Sequence, residues 1–395
     1  VITFKYLFQL QSALQIRVIL ISTVTPGPNS AGQLVLQRHL VDEPAIDLQI
    51  MPTEPRKWGL RKFMRRLMGR LGQTELLHPF CQDIMALWRG GWIDDELPAP
   101  DHTEMPTVVM TVAHEEACFA AMRYAQQYQL PLVTIFHDWW PDMPEMHKAF
   151  RSALERSFRE LYQQSSLALC VSPRMKEALG WHKNSKVMLP MPAIAKPNKA
   201  VSGDESIKPF RVLYAGNLNE YGPMLMEALG QLKDHAKIRL EVRGNSSRWP
   251  LHMKEEMSER GVLLPFAQRE EFDTWLESAD AFLITQSFDE KNERLMETNF
   301  PSKLVEYAQY GKPLIIWGPD YSSGHIWAIQ SGQGMVIDEK NPERLRQTLA
   351  ILCEDVAEQE RLSAAAKDAA TACFDPKRIQ SNFMQWLYEI AIKSP

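Results

Sequence analysis

Phe300-Pro301-Ser302-Lys303-Leu304-Val305-Glu306-Tyr307, followed by Gly311-Lys312-Pro313 and the run Leu314-Ile315-Ile316-Trp317, reads as a turn, a short helix, a stop and a strand. Proline has no N–H to lose at the start of a helix, so Pro301 suits a first turn. The apolar run does not alternate with polar residues, which marks a strand covered on both faces, as in a parallel sheet flanked by helices. The start of such a helix turns free backbone N–H groups and the positive end of its dipole outward, where they can meet an anion. Pro301, Ser302 and Lys303 supply that turn, and Lys303 adds a point charge suited to a diphosphate. The plainer reading is an ordinary helix with a solvated Lys303–Glu306 pair.

Working outward, the same alternation fills most of the chain. Arg17–Thr23, Pro106–Thr111, Leu130–Phe136 and Ser166–Val171 read as strands, with helices near 115–129, 144–163 and 173–179. A second series of strands begins at Phe210–Ala215 and continues through Ile238–Val242, Asp280–Ile284, Pro313–Trp317 and Gly334–Ile337. Its helices fall near 222–235, 269–277, 301–310 and 341–372. Between the two series Ala193–Lys208 is polar, with Pro, Gly and Ser, a linker composition. The fold class is therefore α/β, with two doubly wound, Rossmann-like domains at 1–200 and 201–395. A last helix at about 376–392 carries an apolar stripe and is expected to pack on the second domain. Ligands of open α/β sheets gather at the carboxyl ends of strands, so the cleft between the domains is the expected site.

Length agrees, since 395 residues exceed what one core usually supports. The net charge of −5 is unevenly spread: residues 1–200 carry +3 and the remainder −8. The first half is thus the one expected to meet something anionic. Five cysteines without a CxxC pair argue against a disulfide framework or structural zinc, and for a reducing, cytoplasmic setting. No run of 18 apolar residues offers a spanning helix. Arg56–Arg70 holds seven basic residues and no acid, with Leu60, Phe63, Met64, Leu67 and Leu71 on one helical stripe and Arg61, Lys62, Arg65 and Arg66 largely off it. That is the pattern of a helix lying on anionic lipid at the inner face of a membrane; the alternative is a solvated basic face. One short basic block without an aromatic platform does not fit nucleic acid.

Other candidates sit where strands end. Gly216, after Tyr214-Ala215, lets a backbone approach a phosphate without a Cβ in the way. Arg243 closes the next strand and offers a cation, or is only a surface strand end. His137-Asp138, after Val133–Phe136, stands where a doubly wound fold presents chemistry; His114 ends the preceding strand. Thr25–Gln33 is a Gly/Pro-rich loop that opens a helix.

These residues together resemble the retaining glycosyltransferases of the GT-B fold, family 4 in particular, from Arg17 to about Leu387. The resemblance implies transfer of a sugar from a nucleotide-diphosphate sugar to a glycan or lipid-linked acceptor, with retention and with neither metal nor cofactor. It gives Glu306 the ribose hydroxyls, Lys303 the diphosphate, and His137, beside Asp138, the donor sugar near the reacting carbon. Ala31-Gly32 would be the tip of the loop that approaches donor phosphate and acceptor. The sequence departs from the pattern twice. Asn217 stands where an Arg often follows the glycine, with no Lys after it, and Thr298 stands where relatives carry a sugar-binding Glu, with Glu297 beside it. A binding protein of this fold without catalysis is the rival reading; a sugar-nucleotide epimerase is disfavoured by the lack of an acid/base constellation.

Overall fold

The computed structural model describes residues 16–21, 46–51, 67, 97, 99–100, 107–114, 117–143, 148–192, 208–216, 218 and 221–393. The chain divides into two compact units, residues 1–189 with 377–395 and residues 190–376. The last helix, Pro376–Lys393, thus belongs almost wholly to the first unit rather than the second. Its apolar stripe, with Phe383 fully buried, announces that the helix packs but not against what.

In the first unit β1 (Ile16–Ile21) pairs in parallel with β2 (Ile46–Met51). A four-stranded parallel sheet follows in sequential order: β3 (Val109–Val112), β4 (Leu132–Phe136), β5 (Leu167–Cys170) and β6 (Ser185–Val187). Every residue of β4 and β5 is buried, as their almost wholly apolar runs require. Thr134, the polar exception on β4, shares a 2.8 Å hydrogen bond with the Ser165 hydroxyl. Phe136 lies edge-on to Phe158 and Tyr162 of helix Lys148–Gln164. That helix is therefore fixed over the strand that ends at His137.

The second unit holds one six-stranded parallel sheet in the order β12-β11-β10-β7-β8-β9. Its strands are β7 (Phe210–Gly216), β8 (Ile238–Gly244), β9 (Leu263–Leu264), β10 (Ala281–Thr285), β11 (Leu314–Trp317) and β12 (Met335–Ile337). The first three strands step outward on one side of the sheet and the last three on the other. This is the doubly wound Rossmann order, and the chain reverses direction between β7 and β10. The unit's core is built on Val212, Leu240, Leu283, Ile315 and Trp317, all fully or almost fully buried.

Most expected strands and helices are present, with six additions and one division. The short strands β6 and β9 and the alternating β2 were not expected, nor were the helices Leu251–Glu259, Glu293–Thr298 and Ser323–Ser331. The single helix expected at 341–372 is two, Pro342–Glu354 and Val356–Ala372. Asp355 leaves the helical region at φ −96°, ψ 86°, and its carboxylate accepts the Glu358 N–H at 3.0 Å, capping the second helix. No proline or glycine marks that break.

Candidate functional site

The carboxyl ends of β7 and β10, on either side of the reversal, are where a sheet of this order receives its ligand. β7 ends at Gly216, whose in-register partner on β8 is Gly244. Gly244 is required by packing, since a Cβ there would run into the Gly216 carbonyl; one on Gly216 would instead have to displace the Lys303 side chain. The Lys303 ammonium would sit only 3.3 Å from that added carbon. The sheet edge and the cation expected for a diphosphate are thus in contact.

What brings Lys303 there is the neighbouring Tyr307. Helix Ser302–Ala308 follows its cap residue Pro301 and buries Leu304, Val305, Tyr307 and Ala308. The Tyr307 hydroxyl accepts the Ala215 N–H at 2.8 Å and donates to the Ala215 carbonyl at 3.2 Å. Its ring stacks on Phe282 of β10 at 4.3 Å. Burial pushes the phenol far above its ordinary range, so it stays a neutral donor and acceptor. The opposite face of the helix leaves Ser302 and Glu306 exposed and Lys303 half-buried.

Two donor-site candidates are otherwise engaged. Arg243, expected as a free cation or a surface strand end, is neither, with only 8% of its surface exposed. Its guanidinium donates to the Pro265 carbonyl at 3.1 Å and to Glu271 at 2.9 Å, and lies over the Trp275 ring at 5.0 Å. It braces the loop after β9. Thr298 is fully buried, its hydroxyl donating to the Arg294 carbonyl at 2.6 Å, so it faces its own helix rather than a ligand. Glu297, the alternative, pairs with Arg294 at 3.6 Å and is about one third exposed. Asn217, Ala31, Gly32, Arg61, Lys62, Arg65 and Arg66 lie outside the described residues. Of the basic stretch only Leu67 is described, as helical and 38% exposed.

In the first unit, His137 Nε2 lies 2.9 Å from Asp138 Oδ2 just beyond β4, with the histidine side chain 41% exposed. The His114 ring stands 5.7 Å from that of His137 and 5.9 Å from that of Trp140. β3 and β4 are paired in register through Val112 and Ile135, which sets their two terminal histidines side by side. Among the described residues no group of three His, Cys, Asp or Glu is placed to hold a metal, and no helix is long and apolar enough to cross a membrane.

Residues 197–369 match the family of glycosyl transferases group 1. That segment contains Gly216, Lys303, Glu306 and Tyr307, and nearly all of the second unit. Among solved structures the chain is similar to Anabaena HepE in complex with UDP and glucose, at 15% identity over 95% of this chain and 99% of that one, TM-score 0.61. It is also similar to a trehalose-6-phosphate synthase, OtsA (12% identity, 84% and 78% covered, TM-score 0.51). A structure of S. aureus TarM with UDP and alpha-GlcNAc-glycerol matches at 10% identity over 71% of this chain and 55% of that one, TM-score 0.53. No similar protein is found among the curated ones. At these identities the likeness is one of fold: α/β, two Rossmann-like units, of the GT-B type.

Proposed function

We propose that this protein is a glycosyltransferase that takes a sugar from a nucleotide-diphosphate sugar and passes it, with retention and without a metal, to a glycan or lipid-linked acceptor. The observation that carries the reading is Lys303 lying against Gly216 at the reversal of the second sheet, inside the glycosyl transferases group 1 match. HepE, crystallised with UDP-glucose, supports a nucleotide sugar as the donor class.

In this reading the backbone end of β7 meets the diphosphate, which a side chain at position 216 would exclude, and Lys303 neutralises it. The leaving group of glycosyl transfer is that same diphosphate. A cation fixed before the reaction stabilises the charge as it develops, without reorganisation during the step. Glu306, exposed on the same short helix, is assigned the ribose hydroxyls. His137, oriented by Asp138, is assigned the donor sugar. The basic stretch 56–70 is assigned to an anionic membrane surface, which would place a peripheral protein beside lipid-linked acceptors; co-sedimentation with anionic vesicles at low salt checks that part.

The test is direct. Purified protein incubated with a panel of UDP-, GDP- and ADP-sugars should release nucleoside diphosphate, slowly to water and faster with an acceptor. The inward-turned Thr298 favours one rival, a protein of this fold that binds the nucleotide sugar without catalysis. Tight binding with no release from any donor would select it.

A further inference from the structure

Behind the Phe300–Lys303 turn lies a group of polar side chains that the donor reading has not used. Gln286 follows β10 directly, and its backbone N–H donates to the Trp317 carbonyl at 2.9 Å. Its amide is held between two glycines: a Cβ on Gly318 would come 2.6 Å from Gln286 Cβ, and one on Gly324 would meet the Gln286 Oε1. The same Gly324 position faces Pro301 at 3.1 Å. Gly324 is in the first turn of the nine-residue helix Ser323–Ser331, and the Ser323 hydroxyl is hydrogen-bonded to the Asn299 carbonyl. Gln286, Asn299, Pro301 and the start of this helix are therefore one neighbourhood.

Within it Gln286 Oε1, Asn299 Oδ1, Ser322 Oγ and His325 Nδ1 are all buried with no hydrogen-bond partner among the described residues. Gln286 is 2% exposed, Ser322 0% and His325 7%. Ser322 occupies the cap position of the helix, yet its hydroxyl caps nothing. Polar groups withdrawn from water are almost always paired, so a cluster of unpaired ones marks a place where something else supplies the partners.

The chemistry of the set selects the partner. A helix start alone would favour an anion. Here two carbonyl oxygens, of Gln286 and Asn299, can only accept, and would repel one. Ser322 can donate or accept, and His325 presents a ring nitrogen. Acceptors mixed with a hydroxyl and a ring nitrogen, without a carboxylate or a cation, match the hydroxyls of an uncharged sugar. We infer that Gln286, Asn299, Ser322 and His325 bind hydroxyl groups of the donor's sugar ring, and that they select a neutral hexosyl donor over a uronosyl one. This rests on the nucleotide-sugar reading above. At the border of the group Asn299, Pro301 and Lys303 are each half-buried. It also answers the inward turn of Thr298, because neutral groups behind the turn take over the hydroxyls that a carboxylate at that position would hold.

Titration calorimetry of the full chain with UDP, UDP-glucose and UDP-glucuronate tests it. Wild-type protein should bind UDP-glucose more tightly than UDP, and at least about tenfold more tightly than UDP-glucuronate, the scale of rejecting a group for which the site has no pairing. Gln286→Leu and, separately, Ser322→Ala should each lose most of the gain of UDP-glucose over UDP, with UDP affinity kept within about twofold. Equal wild-type affinity for the two sugar nucleotides, or a gain that survives both substitutions, overturns the inference and leaves the diphosphate site standing. The wild-type comparison decides even where a variant folds poorly. No binding of UDP at all overturns both this inference and the donor reading.

Discussion

The Tyr307 hydroxyl closes a two-way hydrogen bond with the backbone of Ala215, accepting its N–H at 2.8 Å and donating to its carbonyl at 3.2 Å. Ala215 is the last residue before Gly216, so one phenol fixes helix Ser302–Ala308 to the strand end where the diphosphate is assigned. Tyr307→Phe keeps the ring on Phe282 but leaves a buried N–H and C=O without their partner. The expected cost is about 1–3 kcal/mol of stability, the penalty of an unmade buried hydrogen bond. Urea unfolding measures it. Affinity for a nucleoside diphosphate should fall as well, because Lys303 stands on the same helix. A variant as stable as wild type would show that the bond contributes nothing.

Lys303 and Gly216 are predicted to be one functional unit. Lys303→Ala should weaken nucleoside diphosphate binding about 10- to 100-fold, the worth of a hydrogen bond to a charged group. Gly216→Ala should do the same by a different route, since its methyl group would displace the lysine side chain. The double variant should be little worse than either alone, the mark of coupled residues. Calorimetry on the three proteins would expose independent, additive losses if the two do not share a ligand.

Arg243 is predicted to separate stability from binding. Arg243→Lys keeps the charge but cannot hold Pro265 and Glu271 together while stacking on Trp275. The unit should lose about 1–3 kcal/mol, while diphosphate affinity falls far less than in Lys303→Ala. The reverse pattern would return Arg243 to the donor site.

This residue also shows where the sequence stopped being legible. The mainly apolar runs at β4, β7, β10 and β11 announce buried parallel strands, and the few polar residues within them, such as Thr134 and Arg211, find partners on neighbouring elements. Gly216 and Lys303 could be picked out from local order, and the structure brings the two together. The setting of Arg243 could not, since its partners Glu271 and Trp275 lie some thirty positions away, on a helix whose facing side has no local signal. Tyr307 was hidden for a similar reason: its partner is a backbone group in another strand. The polar side chain of Gln286 looks like that of an ordinary loop residue until Gly318 and Gly324 are seen to press against it. The terminal helix was given to the wrong unit because an apolar stripe carries no address.

His137 and Asp138 are predicted to act on turnover more than on nucleotide affinity. His137→Ala should lower kcat by about tenfold or more, with diphosphate binding almost unchanged, as expected for a group whose contact strengthens in the transition state. Asp138→Asn should give a smaller loss of the same kind, because the imidazole would keep its place but lose a charged partner. Equal losses of turnover and of nucleotide affinity in both variants would assign the pair to packing.

The last prediction concerns acid stability, through a carboxylate in the middle of the second sheet. Glu241 on β8 is 4% exposed. Burial pushes its carboxyl up, but hydrogen bonds from Arg211 and Trp275 and the charges of Arg211 and Arg239 outweigh this and hold it below the ordinary range. Arg211 grips it with two bonds, at 3.1 and 2.8 Å, and Trp275 Nε1 donates at 2.8 Å. Trp275 is the ring on which Arg243 lies, so the brace of the β9 loop and this pair share a member. A group that gives up its proton more readily in the folded state stabilises the fold above its unfolded pKa. It loses that contribution as pH falls through the folded value. Glu241→Gln, which keeps the shape but not the charge, should be less stable than wild type at pH 7. The gap in urea midpoint should narrow as the pH is lowered from about 4.5, the side-chain carboxyl's usual range, and close in stronger acid. A gap of constant size at every pH would mean that Glu241 contributes by shape and hydrogen-bond geometry, and that its charge is silent.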